Sequence, residues 1–175
     1  GAAAAAATIL GADAKQFAHA LATAGTMAAG LQQAFRSDAM SKPLHAGHAA
    51  DAGVMAALSA MRGFTGALDI LEGDAGFGKA MGPDPDWEAA FADLGKTFNI
   101  TRMTVKNHGC CGHTFAAIDG AKALQAAHGI APDDIARMRV ATYGTALKVA
   151  GTREVETAFQ GKFSLPYVVA TSLVH

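Results

Sequence analysis

Charge is scarce in this chain, and so are long apolar runs. Charged residues make up 17% of its 175 residues, and the formal net charge is −1. Bulk electrostatics therefore favours neither nucleic acid nor an anionic membrane surface. No apolar run approaches the roughly 20 residues that a membrane helix requires. We expect neither a nucleic acid nor a membrane as a partner.

Cysteine is also scarce. Cys110 and Cys111 are adjacent in sequence, a poor arrangement for a disulfide that staples a fold. We therefore predict a reducing, cytoplasmic location. Hydrophobic residues, by contrast, make up 51% of the chain, which is ample for a buried core. The chain begins in a run of alanines and stops within an apolar helical pattern, so we expect an internal piece of a longer protein.

The first half of the chain is predicted to be helical. Alanines give Gly1–Leu10 a high helix propensity, and Asp13 can cap a helix that runs to about Ala29. A third helix is predicted over Ser41–Met61, with Ser41 as its N-cap and Pro43 in its first turn. Small residues recur in it at helical spacing, so neighbouring backbones can approach closely.

The second half is predicted to mix helix and strand. Ile100–Lys106 and Ile135–Tyr143 alternate apolar and polar residues as strands do, whereas Ala116–Ala127 has helical periodicity. A strand, a helix and a strand in succession favour an α/β unit. The predicted fold class is therefore α+β, with a mainly helical part over residues 1–96 and an α/β part over residues 97–175.

Three basic side chains lie at the start of the predicted third helix. Lys42, His45 and His48 are three residues apart and would share one helix face. The simplest alternative is that His48 faces solvent and His45 bonds a backbone carbonyl. A metal site would lack a carboxylate or a further histidine at ligand spacing. We favour carboxylate binding, because lysine offers three donors and histidine transfers protons near neutral pH.

A second basic group lies between a predicted strand and a predicted helix, over residues 106–114. The start of a helix offers free N–H groups to an anion, and Lys106 and His108 add positive charge. Three alternatives stay open: a thiolate nucleophile at Cys110 or Cys111, a soft-metal site, and a packed glycine-rich turn with buried thiols. The metal site would lack a second pair of ligands.

A third pattern is that of a phosphate-binding P-loop. Residues 73–79 satisfy its glycine positions and its lysine, Lys79. However, Ala80 follows where a Ser or Thr hydroxyl should hold Mg²⁺, and the preceding residues are weakly strand-like at best. A glycine-rich connector is the simpler interpretation.

Several motifs together resemble the MmgE/PrpD family, which includes 2-methylcitrate dehydratase, cis-aconitate decarboxylase and iminodisuccinate epimerase. In chain order they are Gly25-Thr26 with Ala29-Gly30, Ser41–Gly47, Gly63–Gly66, Leu71–Gly73 with Gly76-Phe77, Lys106 through Cys110-Cys111 to Ala116–Asp119, and Phe163–Tyr167. The resemblance covers nearly all of the chain.

The resemblance implies a large helical domain followed by a smaller α/β lid domain, with the active site between them and a homodimer. Residues 1–96 would be the C-terminal part of the helical domain, and residues 97–175 the N-terminal part of the lid. It also implies chemistry on small polycarboxylates without metal or cofactor. Further family site residues would precede Gly1, so we expect this chain alone to be inactive or nearly so.

By position, the resemblance implies active-site roles for Lys42 and Lys106. Position 111 is His in the decarboxylase branch and Cys111 here, which disfavours decarboxylation of cis-aconitate. Many members have Tyr at position 108 and His at position 115, where this chain has His108 and Phe115. We therefore expect proton handling to be rearranged around His108 and His113.

From what the resemblance implies, we predict a hydro-lyase that removes water from a citrate-like acid. The two lysines would stabilise the dianionic, enolate-like state, and the expected proton carriers are His45, His108 and His113. The side chains expected to line the substrate site are Ser41, Cys110, Cys111 and Tyr167. The alternatives are an isomerase or a decarboxylase of a small polycarboxylate, or a small-acid-binding module without catalysis.

Overall fold

The structure is a computed structural model. It describes residues 1–35, 37, 39–82 and 84–175. The chain divides into two compact units. The first comprises Gly1–Ala34 and Met40–Arg102, and the second comprises Phe35–Ala39 and Met103–His175. Every helix in the described ranges is too short or too polar to span a lipid bilayer.

Three helices form the core of the first unit. They are α1 (Ala2–Ile9), α2 (Ala14–Thr26) and α3 (Leu44–Ala60), and each packs against the other two. The buried face of α3 consists of alanine and glycine, as its spacing predicts. Because these side chains are so small, the helix axes approach closely and the core contains little beyond methyl groups. Two short helices follow, α4 (Phe77–Met81) and α5 (Trp87–Phe91).

The sequence predicts the N-cap of α2 correctly and the N-cap of α3 incorrectly. Asp13 caps α2 as predicted, since its carboxylate accepts from the Gln16 amide at 2.8 Å. The N-cap of α3, however, is Pro43 and not Ser41. Ser41 lies in a preceding turn, in which its carbonyl accepts from the Leu44 amide at 3.1 Å. The N-cap therefore lies two residues later than predicted.

The second unit is built on α6 (Phe115–His128) and α9 (Leu165–Val174), with two shorter helices, α7 (Gly144–Ala150) and α8 (Ala158–Lys162). The core between α6 and α9 consists of Ile118, Leu165 and Val169. Ser164 caps α9, because its fully buried hydroxyl accepts from the Tyr167 amide at 3.2 Å and donates to the Thr152 carbonyl at 2.5 Å.

The predicted α+β fold class is wrong. Within the described ranges there is no β-sheet, and β pairing is limited to one isolated antiparallel bridge between Gly151 and Ser164. The predicted strand at Ile100–Lys106 begins instead with a 3-10 turn over Asn99–Arg102. The predicted strand at Ile135–Tyr143 is an extended segment that no other described segment pairs with.

Alternation misled the prediction because a strand needs a backbone partner, which a pattern of side chains cannot supply. In the second segment the pattern does not mark a buried face either. Ile135, Met138 and Val140 line an apolar cavity of about 400 Å³ with α6 and α9, but Arg137 and Arg139 line it too. Met138 and Val140 are moreover 41% and 39% exposed. The alternation thus identifies neither a sheet nor a buried face.

The closest helix contact of the first unit gives a test of this packing. A Cβ added at Gly53 of α3 would lie 2.6 Å from the Ala2 Cβ and 2.7 Å from the Ala3 amide nitrogen. We expect Gly53→Ala to lower the free energy of unfolding by about 1–3 kcal/mol, because α1 must move away. Urea unfolding followed by far-ultraviolet circular dichroism measures the change.

Gly47→Ala is the matched control. Gly47 lies in the same helix, and nothing lies within 4 Å of a Cβ added there. We expect it to raise stability by about 0.5–1 kcal/mol, because alanine loses less backbone entropy than glycine on forming a helix. Equal effects of the two substitutions would contradict the close α1–α3 contact.

Candidate functional site

The first unit carries one of the two predicted basic groups. Lys42 lies in the turn before α3 and is half-buried, as is His45 in the first turn of the helix, whereas His48 and Ser41 are exposed. Because Lys42 lies outside the helix, the predicted arrangement of three basic residues on one helical face is wrong. His48 lines a small cavity of about 320 Å³ formed otherwise by α1, α2, α3 and the chain that follows α2.

His45 is positioned by a glycine that sequence reasoning did not connect with it. A Cβ added at Gly30 would lie 3.2 Å from the His45 Nδ1, so the backbone at Gly30 faces the imidazole ring directly. Gly30 has a φ of 123°, a conformation that other residues rarely adopt. The sequence motif that ends at Gly30 therefore contacts the motif that contains Lys42 and His45, and the contact is at this ring.

The second unit carries the other basic group, in the loop from Lys106 to Thr114. Three interactions close this loop. The Thr114 hydroxyl is fully buried and donates to the Cys111 carbonyl at 2.7 Å, while the Cys111 amide donates to the Lys162 carbonyl at 2.8 Å. The exposed Lys106 ammonium donates to the Cys110 carbonyl at 3.1 Å. The loop is thus tied to itself and to the end of α8.

The two thiols pack within the unit. Cys111 is buried, with 8% of its surface exposed, and Cys110 is half-buried against the core between α6 and α9. The Cys110 Sγ lies 3.2 Å from the Thr114 Oγ1. A thiol as buried as Cys111 offers little surface to a substrate, so the packed-turn interpretation fits the geometry of that residue best.

The predicted anion site at the start of α6 is only partly present. A 3-10 turn over Gly112–Thr114 precedes the helix. Because of this turn, the Thr114 amide already donates to the Cys111 carbonyl, and the Phe115 amide donates to the Gly112 carbonyl. These two N–H groups are therefore not available to a ligand, and positive charge in this region comes from side chains.

Both predicted histidines of this loop have a side-chain partner. The His108 Nε2 lies 2.7 Å from the Asp119 carboxylate, and the edge of its ring meets Phe115 at a centroid distance of 5.2 Å. The His113 Nδ1 is hydrogen-bonded to the Tyr143 hydroxyl, and the two rings meet edge to face at 5.5 Å. Each imidazole is therefore held in one orientation by a second group that can exchange a proton.

Tyr143 is the residue that the sequence did not reveal. It lies 30 residues from His113, at the end of the strand predicted over Ile135–Tyr143, where nothing in the alternation marks it. In the structure it is the N-cap residue of α7, and this position brings its hydroxyl to the imidazole. Only the fold could reveal this pair.

Tyr167 lies in the first turn of α9, and its side chain is about half exposed. A Cβ added at Gly161 of α8 would lie 3.2 Å from the Tyr167 ring, so the ring packs directly over that glycine. The structure thus places Lys106, His108, Cys110, Cys111, His113 and Tyr167 in the second unit, and Ser41, Lys42 and His45 in the first.

The P-loop interpretation does not fit the structure. The amides that would hold a phosphate already donate to backbone carbonyls: Phe77 to Ile70 at 2.7 Å and Gly78 to Leu71 at 2.9 Å. The helix that follows has only five residues. Residues 73–79 form a folded connector, in which Gly78 lies against the Trp87 ring. As for metals, no group of three or more His, Cys, Asp or Glu side chains in the described ranges could hold an ion.

Comparison with known families gives two consecutive matches. The model of the MmgE/PrpD N-terminal domain matches residues 1–90, and the model of the MmgE/PrpD C-terminal domain matches residues 108–175. The chain therefore belongs to the MmgE/PrpD family, a family of generally dehydratase-like enzymes, and the predicted resemblance is confirmed. No curated protein matches the chain.

The closure of the 106–114 loop can be tested through Thr114. Thr114→Val keeps the side-chain shape but removes the hydroxyl that donates to the Cys111 carbonyl, which keeps the Thr114 amide as a donor. We expect a loss of about 0.5–1.5 kcal/mol in the free energy of unfolding. We also expect faster labelling of Cys111 by a thiol reagent, which mass spectrometry can follow separately for each cysteine.

Thr101→Val is the control. The Thr101 hydroxyl makes a similar bond, to the Phe98 carbonyl at 2.8 Å, but in an exposed turn where water can replace it. We expect a change within about 0.5 kcal/mol. If the Thr114 substitution were equally mild and left Cys111 labelling unchanged, the loop would not depend on this hydroxyl.

Proposed function

We propose that this member of the MmgE/PrpD family is a hydro-lyase that removes water from a citrate-like polycarboxylate. The single observation that carries the proposal is the 106–114 loop, which presents one lysine and two imidazoles within nine residues. Each imidazole has an acid–base partner, Asp119 for His108 and Tyr143 for His113. A lysine beside two oriented proton carriers suits chemistry that moves a proton next to a carboxylate.

The chemical difficulty of such a reaction is the acidity of the carbon. A proton next to a carboxylate is very weakly acidic, and its removal gives a dianionic, enolate-like state. Positive charge placed near the carboxylate stabilises that state more than it stabilises the substrate. We propose this role for Lys106, whose ammonium is exposed, and for Lys42 of the first unit.

The reaction then needs a base and an acid. In the proposed sequence a neutral imidazole takes the proton, and the electron pair of the broken C–H bond moves into the carboxylate. The pair returns to form the carbon–carbon double bond, and the β-hydroxyl leaves as water after protonation. We propose His108 and His113 as the loop's proton carriers, with the Tyr143 hydroxyl able to relay a proton to or from His113. His45 is a further candidate in the first unit.

Other parts of the proposal do not rest on geometry. The homodimer and the absence of a metal or cofactor rest on the family, and the cytoplasmic location rests on the scarcity of cysteine. An isomerase would use the same proton abstraction but return the proton without losing the hydroxyl. Cys111 at the position of the decarboxylase histidine supports loss of water over loss of CO₂, because its buried thiol is a poor substitute for an imidazole.

The proposal predicts that both lysines are required. In the native, full-length protein we expect Lys106→Met and Lys42→Met each to lower kcat/KM for dehydration about 100-fold or more, because each removes a cation that stabilises the developing charge. Ultraviolet absorbance of the new carbon–carbon double bond follows the reaction. Circular dichroism checks that both variants stay folded.

Lys122→Met is the matched control, since Lys122 is an exposed lysine of α6 in the same unit as Lys106. We expect its kcat/KM to stay within about twofold of the unsubstituted protein, as for a surface charge outside the site. Full activity of Lys106→Met would remove this lysine from the mechanism. A loss of the same size in Lys122→Met would mean that only net charge matters.

A further inference from the structure

The loop histidine His108 is held from two sides by residues of α6. Its Nε2 lies 2.7 Å from the Asp119 Oδ1, and its ring meets the Phe115 ring at an interplanar angle of 75°. Phe115 and Asp119 are four residues apart, so they lie on the same face of the helix, one turn from each other. The Phe115 ring fixes the plane of the imidazole, and the Asp119 carboxylate is hydrogen-bonded to its Nε2.

The hydrogen bond to Asp119 determines which nitrogen of the His108 ring can act as a base. When a carboxylate accepts a hydrogen bond from the Nε2–H of a neutral imidazole, the proton of the ring stays on Nε2 and Nδ1 carries a lone pair. No residue in the described ranges is a hydrogen-bond partner of the His108 Nδ1. The same carboxylate stabilises the imidazolium that forms once Nδ1 takes a proton.

We propose that Asp119 is a positioning residue that holds His108 with Nδ1 as the base for proton abstraction. This inference rests on the proposed function, in which His108 is a proton carrier. It adds a residue that the sequence pattern marks only as part of a family motif, and it selects one of the two ring nitrogens. Asp119 acts through His108 and need not touch the substrate.

Exposure separates this role from a structural one. The Asp119 side chain is 59% exposed and that of His108 is 25% exposed. Ion pairs this open to water contribute little to stability, commonly about 0–1 kcal/mol. Removing the carboxylate should therefore leave the fold nearly unchanged, and the expected effect is on the orientation of one ring.

The kinetic test compares Asp119 variants of the native, full-length protein. We expect Asp119→Asn to lower kcat about tenfold or more while KM stays within about twofold, because substrate binding does not involve this carboxylate. Asp119→Glu keeps the negative charge and should recover much of the lost rate. The matched control is Asp133→Asn, at an exposed aspartate in the turn before the extended segment, and we expect no change in kcat.

Non-additivity provides the sharper result. If Asp119 acts only through His108, Asp119→Asn should have no further effect in a protein that already carries His108→Gln. Additive losses would overturn the proposal, and so would an unchanged kcat in Asp119→Asn. A fall in kcat that is matched by loss of thermal stability would also overturn it, because the carboxylate would then be structural.

A measurement without substrate separates this proposal from the proposed function. In protein labelled with ¹⁵N-histidine, the Nε2–H proton of His108 should be visible by NMR in the unsubstituted protein and lost by exchange with water in Asp119→Ala. Suppose that no polycarboxylate is turned over, but that the Nε2–H signal is seen in the unsubstituted protein and lost in Asp119→Ala. The proposed function is then wrong, and the positioning of His108 by Asp119 is confirmed. If the proton is absent from the unsubstituted protein, the positioning role fails whatever the activity.

Discussion

One buried hydroxyl fixes the turn at the end of the 106–114 loop, from which α6 begins. Thr114 has no exposed surface, and both its hydroxyl and its amide donate to the Cys111 carbonyl. The hydroxyl adds one net hydrogen bond, worth about 0.5–1.5 kcal/mol, to the conformation of this turn. The neighbouring bond from the Cys111 amide to the Lys162 carbonyl ties that conformation to α8. The side chains for which we propose catalytic roles are thus carried by a loop whose end is tied to itself and to α8.

The geometry of the loop accounts for two vicinal cysteines beside the candidate site as packing residues. Their position in the loop makes nucleophilic catalysis or metal binding a reasonable hypothesis from sequence alone. In the structure Cys111 is buried and Cys110 packs on the helical core with its sulfur against the Thr114 hydroxyl. Small, apolar and weakly hydrogen-bonding side chains are well suited to fill the space behind a tight turn.

The sequence could predict local structure where the cause is local. Asp13 caps α2 because its carboxylate reaches an amide three residues away, and the small-residue face of α3 follows from helical spacing. The sequence could not predict structure where the interacting residues are far apart along the chain. Ile135–Tyr143 has the alternation of a strand, but no described segment pairs with its backbone, and Tyr143 reaches His113 only because α7 begins there. Histidine and lysine identities thus suggested the site, whereas Asp119 and Tyr143 as partners of its imidazoles required the fold.

The central claim is removal of a proton next to a carboxylate followed by loss of water. Proton NMR of the native, full-length protein in heavy water tests it directly, with 2-methylcitrate, citrate, cis-aconitate and iminodisuccinate offered separately. The account predicts new vinylic signals from at least one hydroxy acid. Deuterium uptake beside a carboxylate without a new product would show an isomerase instead. If folded protein produced no change in any of the four acids, the claim would be contradicted.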